Sequence, residues 1–219
     1  MSPNWSPTAL QLWNEDEWFA DIMRAGVNGR TLVDPVRCFM LYQLLLQAQR
    51  NREGEVLEVG VYRGGTAYLL VRAMCPDKIF FGCDTFEGLP PPDRSVDPDH
   101  EAGQFAADYD EVWNHLKRAT KDLKPTISLI KGVFPGTAAD SMGIAKFCFV
   151  HVDVDLYRSV YDTCQWVYPR VVPGGVIVFD DYGFPQCHGA KVAVDKFFED
   201  KPEDVIYLPT GQAVVLRRG

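Results

Sequence analysis

Four aspartates in two clusters carry the clearest chemistry in this sequence: Asp153-Val154-Asp155 near the end of one apolar run, and Asp180-Asp181 at the end of the next. Side chains alternate along an extended strand, so Asp153 and Asp155 are expected to point to one side while Val154 points away. A hard dication needs several oxygens converging on one place, and the two clusters therefore predict a Mg²⁺-type site. The competing explanation is structural, because strand-end aspartates commonly cap turns and Asp180-Asp181-Tyr182-Gly183 reads naturally as one. Two clusters ending neighbouring strands, on the edge where open α/β sheets bind ligands, favour the site.

The acids need a scaffold, and from Glu55 onward short β-rich runs alternate with helical stretches, the pattern of a doubly wound α/β domain with a mostly parallel sheet. Seven strands are expected at residues 55–60, 78–84, 126–131, 146–153, 175–181, 204–208 and 212–217. Helices are expected at residues 66–74, 107–120, 159–168 and 190–200. Only Pro209-Thr210-Gly211 separates the last two strands, which is too short for a parallel crossover and predicts an antiparallel hairpin. Ahead of them, residues 8–25 and 35–51 predict two helices, the second with a broad apolar face that includes Val36, Phe39, Leu44 and Leu45. Residues 1–52 are thus expected to form a helical cover, or the interface of a homo-oligomer such as a dimer, preceding a domain of residues 53–219. Residues 90–103, rich in Pro and Asp, predict a long mobile loop that could act as a lid.

Composition narrows the function classes. The 219 residues are 47% hydrophobic, which suits one globular unit with a sizeable core. The apolar runs at residues 145–154 and 171–179 are too short to span a membrane, and residues 1–17 lack the basic start and apolar stretch of a signal peptide. A cytoplasmic protein is expected. The net charge of −8 argues against nucleic acid or anionic lipid as a partner. The cysteines Cys38, Cys75, Cys83, Cys148, Cys164 and Cys187 show no zinc or redox spacing and read as buried thiols. The adjacent pair Cys187-His188 is explained by a turn containing Pro185 and Gly189. His151 is expected in the core, His188 as a rival base or acceptor contact, and His100 and His115 facing solvent or a mobile loop. Trp5, Trp13, Trp18, Trp113 and Trp166 read as core or interface residues, with Trp13 and Trp18 able to line an acceptor pocket if the N-terminal helix folds over the site.

A second constellation lies upstream. Val56-Leu57-Glu58-Val59-Gly60-Val61-Tyr62-Arg63-Gly64-Gly65-Thr66 is a strand running into a glycine-rich turn and then a helix, where a ligand can approach the backbone closely. Gly60, Gly64 and Gly65 do not reproduce the G-x-G-x-x-G spacing of dinucleotide sites. Glu58 would repel a pyrophosphate but attract an amino group, which favours S-adenosylmethionine, whose amino-acid part is cationic. Asp84, ending the second strand, suits the hydroxyls of an adenosine ribose, although it could merely cap the Thr85-Phe86-Glu87-Gly88 turn. Gly132, Val133 and Phe134, at the exit of the third strand, could border the adenine with a backbone amide and an apolar wall.

With these residues in place the chain resembles the Mg²⁺-dependent O-methyltransferases of the macrocin and mycinamicin sugar type, which include an aminocoumarin-antibiotic member, and more distantly the catechol type. The resemblance runs from Thr31-Leu32-Val33-Asp34-Pro35-Val36-Arg37 through residues 58–66, 84–90, 153–159 and 180–198. Its strongest blocks are D-T-F-E-G-L-P, D-V-D-L-Y-R-S and D-D-Y-G. It implies a Rossmann-like class I methyltransferase fold acting on a hydroxyl of a small-molecule acceptor. Glu58, Gly60, Tyr62, Gly64 and Thr66 would surround the methionine part of the cofactor and Asp84 would take the ribose. Thr31, Gly132, Val133, Phe134 and Asp153 complete the expected cofactor contacts. Asp153, Asp180 and Asp181 would hold the metal, and Asp155 matches the position of the general base. The catechol type uses a lysine slightly further along, where this chain has Arg158, which cannot serve as a base. Two departures bear on the acceptor: Val154 replaces the family's glycine between the paired acids, and the region before Thr31 is short for a sugar-modifying member.

Two other classes compete. A metal-dependent hydrolase could use the same carboxylates to activate water, but Glu58 and Asp84 would then lack a shared purpose. A non-catalytic cofactor-binding domain would leave the acid clusters without a role.

Overall fold

The computed structural model describes residues 11–50, 53–120 and 125–219. The apolar runs become a sheet of seven strands: β1 (Glu55–Val59), β2 (Ile79–Asp84), β3 (Thr126–Lys131), β4 (Phe147–Val152), β5 (Val171–Phe179), β6 (Ile206–Tyr207) and β7 (Ala213–Leu216). Their order is β3-β2-β1-β4-β5-β7-β6, and the expected hairpin makes β7 antiparallel to both β5 and β6 while the other pairs are parallel. β4 is buried at every position, which explains why it is apolar apart from His151: a central parallel strand is covered on both faces. The strand order reverses between β1 and β4, and this switch point opens a crevice at the carboxyl ends of the strands.

Among the described residues, seven α-helices flank the sheet: α1 (Leu12–Glu15), α2 (Glu17–Ile22), α3 (Pro35–Ala48), α4 (Gly65–Ala73), α5 (Tyr109–Ala119), α6 (Tyr157–Val167) and α7 (His188–Phe198). The single helix expected at residues 8–25 is instead interrupted. Asp16 adopts an extended conformation and its carboxylate accepts the Phe19 N–H, which starts α2 afresh, and a π-helical turn, Met23–Val27, follows. Residues 8–10 of that expectation, Trp5 and Asn51 lie outside the described residues. The start of α3 follows sequence logic directly: the Asp34 side chain accepts from Val36 and Arg37 N–H groups, and Pro35 takes the first position, where no donor is needed.

Phe19, Leu41 and Leu45 pack with Leu69 and Leu116 against Val56, Phe80 and Phe149 on one face of the sheet. Val160, Val194 and Phe198 pack against Leu57, Val150 and Ile177 on the other. Full burial of each such side chain contributes about 1.5–3 kcal/mol, so the N-terminal helices are anchored to the sheet by its main core rather than laid over its surface. No helix among the described residues is long and apolar enough to cross a membrane.

Residues 90–103 contain no regular element, as expected, but they are tied down rather than loose. The Leu89 N–H donates to the Gln104 carbonyl at 2.8 Å and the Gly103 N–H to the Leu89 carbonyl at 2.9 Å. Midway, the buried carboxylate of Asp97 accepts the Tyr157 N–H at 3.1 Å. That contact also explains why α6 begins at Tyr157 and not at Ser159.

Candidate active site

The sheet delivers its acids just beyond the strand ends. β4 stops at Val152 and β5 at Phe179, so Asp153, Asp155, Asp180 and Asp181 all lie in the turns that follow. Strand alternation therefore does not orient Asp155, contrary to expectation. The Leu156 N–H donates to the Val154 carbonyl, and Asp155, at the centre of this three-residue turn, has φ 57°. A positive φ is uncommon for a residue with a β-carbon, and such a γ-turn is rare and strained. Asp181 holds the turn, its Oδ2 accepting the Asp155 N–H at 2.9 Å. Asp153 gathers with Asp180 and Asp181, their ligating oxygens within 4.8 Å of one another, whereas Asp155 gathers equally closely with His100 and Cys187. Both groups line one cavity of about 260 Å³ at the switch point.

Asp180 is heavily engaged. Its Oδ1 accepts from Gln212 Nε2 at 2.9 Å and lies 3.6 Å from His151 Nε2, while its Oδ2 pairs with Arg37. Arg37 reaches in from α3 with its Nε on Asp34 at 2.7 Å, an N–H on the Leu32 carbonyl at 2.9 Å, and its guanidinium 4.7 Å from the centre of the Phe184 ring. Behind Asp180, His151 Nδ1 stands 2.9 Å from Glu58 Oε1, and both side chains are fully buried.

Five carboxylates, Glu58, Asp153, Asp155, Asp180 and Asp181, thus collect around Arg37 and His151. Burial first, then the charge of Asp180, pushes Asp153 well above the usual carboxylate range. Burial followed by the charges of Asp155 and Asp153 does the same to Asp181. Burial also raises Asp155 and Glu58. His151 is held up to about 10: burial opposes its charge, but the adjacent carboxylates of Asp180 and Glu58 outweigh it. Acids that resist ionisation because negative charge is crowded together gain from an added cation. The Asp153, Asp180 and Asp181 set offers it hard oxygen donors, the type Mg²⁺ prefers.

The glycine-rich turn forms another wall of the same cavity. Gly60 has φ 94°, and a β-carbon there would stand 1.7 Å from the Asp153 carbonyl oxygen, so glycine is required twice over. Thr31, Tyr62, Thr66 and Asp84 line the cavity. Gly64 does not; with φ 81° it turns the chain into α4. Glu58 does not line it either: it is fully buried, paired with His151 through Oε1, and its Oε2 has no hydrogen-bond partner. Asp84 accepts three backbone N–H groups, from Val61 and Tyr62 at 2.8 Å and from Phe86 at 2.7 Å. Turn-holding and ligand-facing roles coexist there, with about one of a carboxylate's roughly four acceptor positions left for a ligand. Gly132, Val133 and Phe134 also line the cavity, but the Gly132 N–H is spent on the Asp84 carbonyl at 2.9 Å.

Several placements differ from expectation. His188 is exposed at the start of α7 and does not line the cavity, whereas the neighbouring Cys187 does. His100, expected to face solvent or a mobile loop, is buried in the cavity wall. His115 is buried as well, with Nε2 2.8 Å from the Gly26 carbonyl. Trp13 and Trp18 pack among the N-terminal helices, Trp18 stacking on Tyr42 at 4.9 Å, and neither lines the cavity. Sequence reasoning missed Arg37, Gln212 and His100 as site residues. Arg37 stood inside the first resemblance block, but its partner Asp180 is 143 residues away and no local pattern joins them.

Known proteins resemble this chain in sequence and fold. A sequence profile described as macrocin O-methyltransferase (TylF) matches residues 27–205. The mycinamicin III 3''-O-methyltransferase of Micromonospora griseorubida is 29% identical over 158 residues, covering 63% of this chain and 58% of that protein. The demethyldecarbamoylnovobiocin O-methyltransferase of Streptomyces niveus is 29% identical over 159 residues, covering 67% of this chain and 59% of that protein. The chain therefore spans less than two thirds of the length of these curated relatives. The solved structure of the O-methyltransferase NovP superposes with a TM-score of 0.73 at 25% identity, covering 88% of this chain and 84% of NovP. The fold is that of the class I methyltransferases, and with a match extending over most of its length the chain belongs to the macrocin O-methyltransferase (TylF) family.

Proposed function

We propose that this protein is a Mg²⁺-dependent O-methyltransferase that moves the methyl group of S-adenosylmethionine to a hydroxyl of a small-molecule acceptor, a sugar hydroxyl of a natural product. One observation carries the reading: Gly60, Thr66 and Asp84 line the same cavity as Asp153, Asp155, Asp180 and Asp181. The relatives named for acting on mycinamicin III and on demethyldecarbamoylnovobiocin support a natural-product acceptor.

The residues fit both groups. Asp153, Asp180 and Asp181 would hold the metal, relieving the crowded charge that raises Asp153 and Asp181. Gly60 and Thr66 in the cavity wall, and Asp84 with an acceptor position to spare, suit the methionine and ribose parts of the cofactor. When bound, the sulfonium supplies an electrophilic methyl group and the dication lowers the pKa of an acceptor hydroxyl.

The chain itself does three things. Asp84 retains an acceptor position for a ribose hydroxyl, while Val133 and Phe134 form an apolar wall. Asp155, aimed into the cavity by its strained turn, takes the proton of the acceptor hydroxyl, and its raised pKa makes it a stronger base than an exposed aspartate. The pinned 90–103 segment closes one side and helps to hold the reactants in line, an effect worth about 7–11 kcal/mol in favourable cases. Arg158, where the catechol type has its lysine, is exposed and paired with Asp162 at 2.6 Å, which leaves the proton to Asp155.

The test combines calorimetric titration with S-adenosylmethionine and a transfer assay on glycosylated natural products and catechols, with and without EDTA. Cofactor binding and EDTA-sensitive methylation of glycosylated acceptors are expected. Products confined to catechols would overturn the acceptor class, transfer surviving EDTA the metal requirement, and absence of cofactor binding the whole reading.

A further inference from the structure

We propose that His100, Asp155 and Cys187 form a second metal site, separate from the three-aspartate set and selective for a borderline-soft dication such as Zn²⁺, whose occupancy blocks the base. The three residues come from distant segments, the 90–103 loop, the turn after β4 and the start of α7, yet their ligating atoms all lie within 4.8 Å of one another. They offer nitrogen, oxygen and sulfur, the mixed donor set that zinc accepts and Mg²⁺ does not seek.

One observation points to a ligand, and a second shows that the donor spacing is compatible with one. His100 is only 4% exposed and lines the cavity, yet its Nε2 has no hydrogen-bond partner. A buried ring nitrogen left unpaired calls for a partner that the fold does not supply. The second observation is metric. A tetrahedral zinc with sulfur at about 2.3 Å and a carboxylate oxygen at about 2.1 Å holds those two atoms about 3.6 Å apart. Cys187 Sγ and Asp155 Oδ1 are 3.6 Å apart.

The surroundings hold the three in register. Asp97 pins the loop to the start of α6, and a β-carbon on Gly189 of α7 would stand 1.8 Å from its Oδ1, so loop and both helices meet at this carboxylate. The Cys187 S–H now donates to Asp155, and burial first, then the charges of Asp181 and Asp155, keep that thiol protonated. On metal binding the S–H bond breaks, its electron pair goes to the metal and the proton leaves to water. All three residues face the cavity, so the fourth coordination position opens toward the acceptor space. An Asp155 oxygen bound to metal no longer accepts a proton. Inhibition rests on the methyltransferase reading, whereas metal binding does not.

The probe is Co²⁺, titrated into protein saturated with Mg²⁺, because a thiolate bound to cobalt gives a near-ultraviolet charge-transfer band that carboxylates cannot. The band should saturate at one equivalent and be displaced by Zn²⁺. It should be absent in Cys187→Ser and need at least about tenfold more Co²⁺ in His100→Ala, since even outer partners of metal ligands are worth that much. No band in the wild type, a band surviving Cys187→Ser, or an unchanged titration in His100→Ala would overturn the site. In the transfer assay Zn²⁺ should inhibit the wild type, relative to its own uninhibited rate, at least about tenfold more strongly than His100→Ala. Equal inhibition would overturn the blocking role. A cobalt band from a protein without methyl transfer would keep the metal site and reject the enzymatic reading, and Mg²⁺-dependent transfer without a band would do the reverse.

Discussion

Gly60 and Asp153 are packed so tightly that the glycine-rich turn and the acidic turn form one piece. The Asp153 N–H donates to the Val59 carbonyl at 2.9 Å, and a β-carbon on Gly60 would stand 1.7 Å from the Asp153 carbonyl oxygen. Gly60→Ala adds a left-handed strain to this clash, and a loss of about 2–5 kcal/mol in stability is expected, together with weaker binding of both S-adenosylmethionine and Mg²⁺. Urea unfolding and calorimetry measure the two effects. A variant within about 0.5 kcal/mol of the wild type, with both ligands bound normally, would show the two turns to be independent.

Asp181→Asn keeps an acceptor for the Asp155 N–H while removing a charge from the metal set. Mg²⁺ affinity should fall at least about tenfold while S-adenosylmethionine affinity in EDTA stays near that of the wild type. An unchanged Mg²⁺ isotherm would remove Asp181 from the ligand set.

Arg37 neutralises Asp180 from α3. Arg37→Gln should therefore tighten Mg²⁺ binding severalfold, because a competing cation is gone, and at the same time lower the melting temperature of the metal-free protein by leaving buried acids less compensated. Parallel loss of stability and of Mg²⁺ affinity would mean that Arg37 shapes the site and does not compete for it.

Acid stability should depend on His115. Burial first and Arg30 second keep its ring neutral down to about 4 in the folded protein, against an ordinary value of 6.5. Between these values the unfolded chain binds the extra proton, so stability falls as pH drops from about 6.5 toward about 4 and is unaffected by this group above that window. His115→Gln should flatten this limb in urea midpoints taken across the window. An unaltered slope would assign the acid limb to other groups.

The alternation of apolar runs and helical stretches was enough to predict the seven strands and the terminal hairpin, because a parallel strand covered on both faces is apolar at most positions, as β4 is apart from His151. The gathering of Asp153, Asp180 and Asp181 was legible because each sits within two residues of a strand end and the switch point gathers such ends. The direction of Asp155 was not legible, since β4 stops at Val152 and a turn with positive φ replaces alternation. Arg37 and His100 escaped for a related reason. Each acts through a tertiary contact, and a histidine in a polar, proline-rich segment gives no sign that Asp97 will tie that segment into the core. The broken N-terminal helix hinged on Asp16, an ordinary capping residue inside a run that otherwise keeps helical spacing.

The role of Asp155 is the centre of this account, and single-turnover methyl transfer from labelled S-adenosylmethionine to a glycosylated acceptor, in wild type and Asp155→Asn with saturating Mg²⁺, tests it most directly. The predicted result is a rate at least about a hundredfold lower in the variant, within the range for general-base removal, with cofactor and Mg²⁺ affinities unchanged. A near-wild-type rate in Asp155→Asn would contradict it.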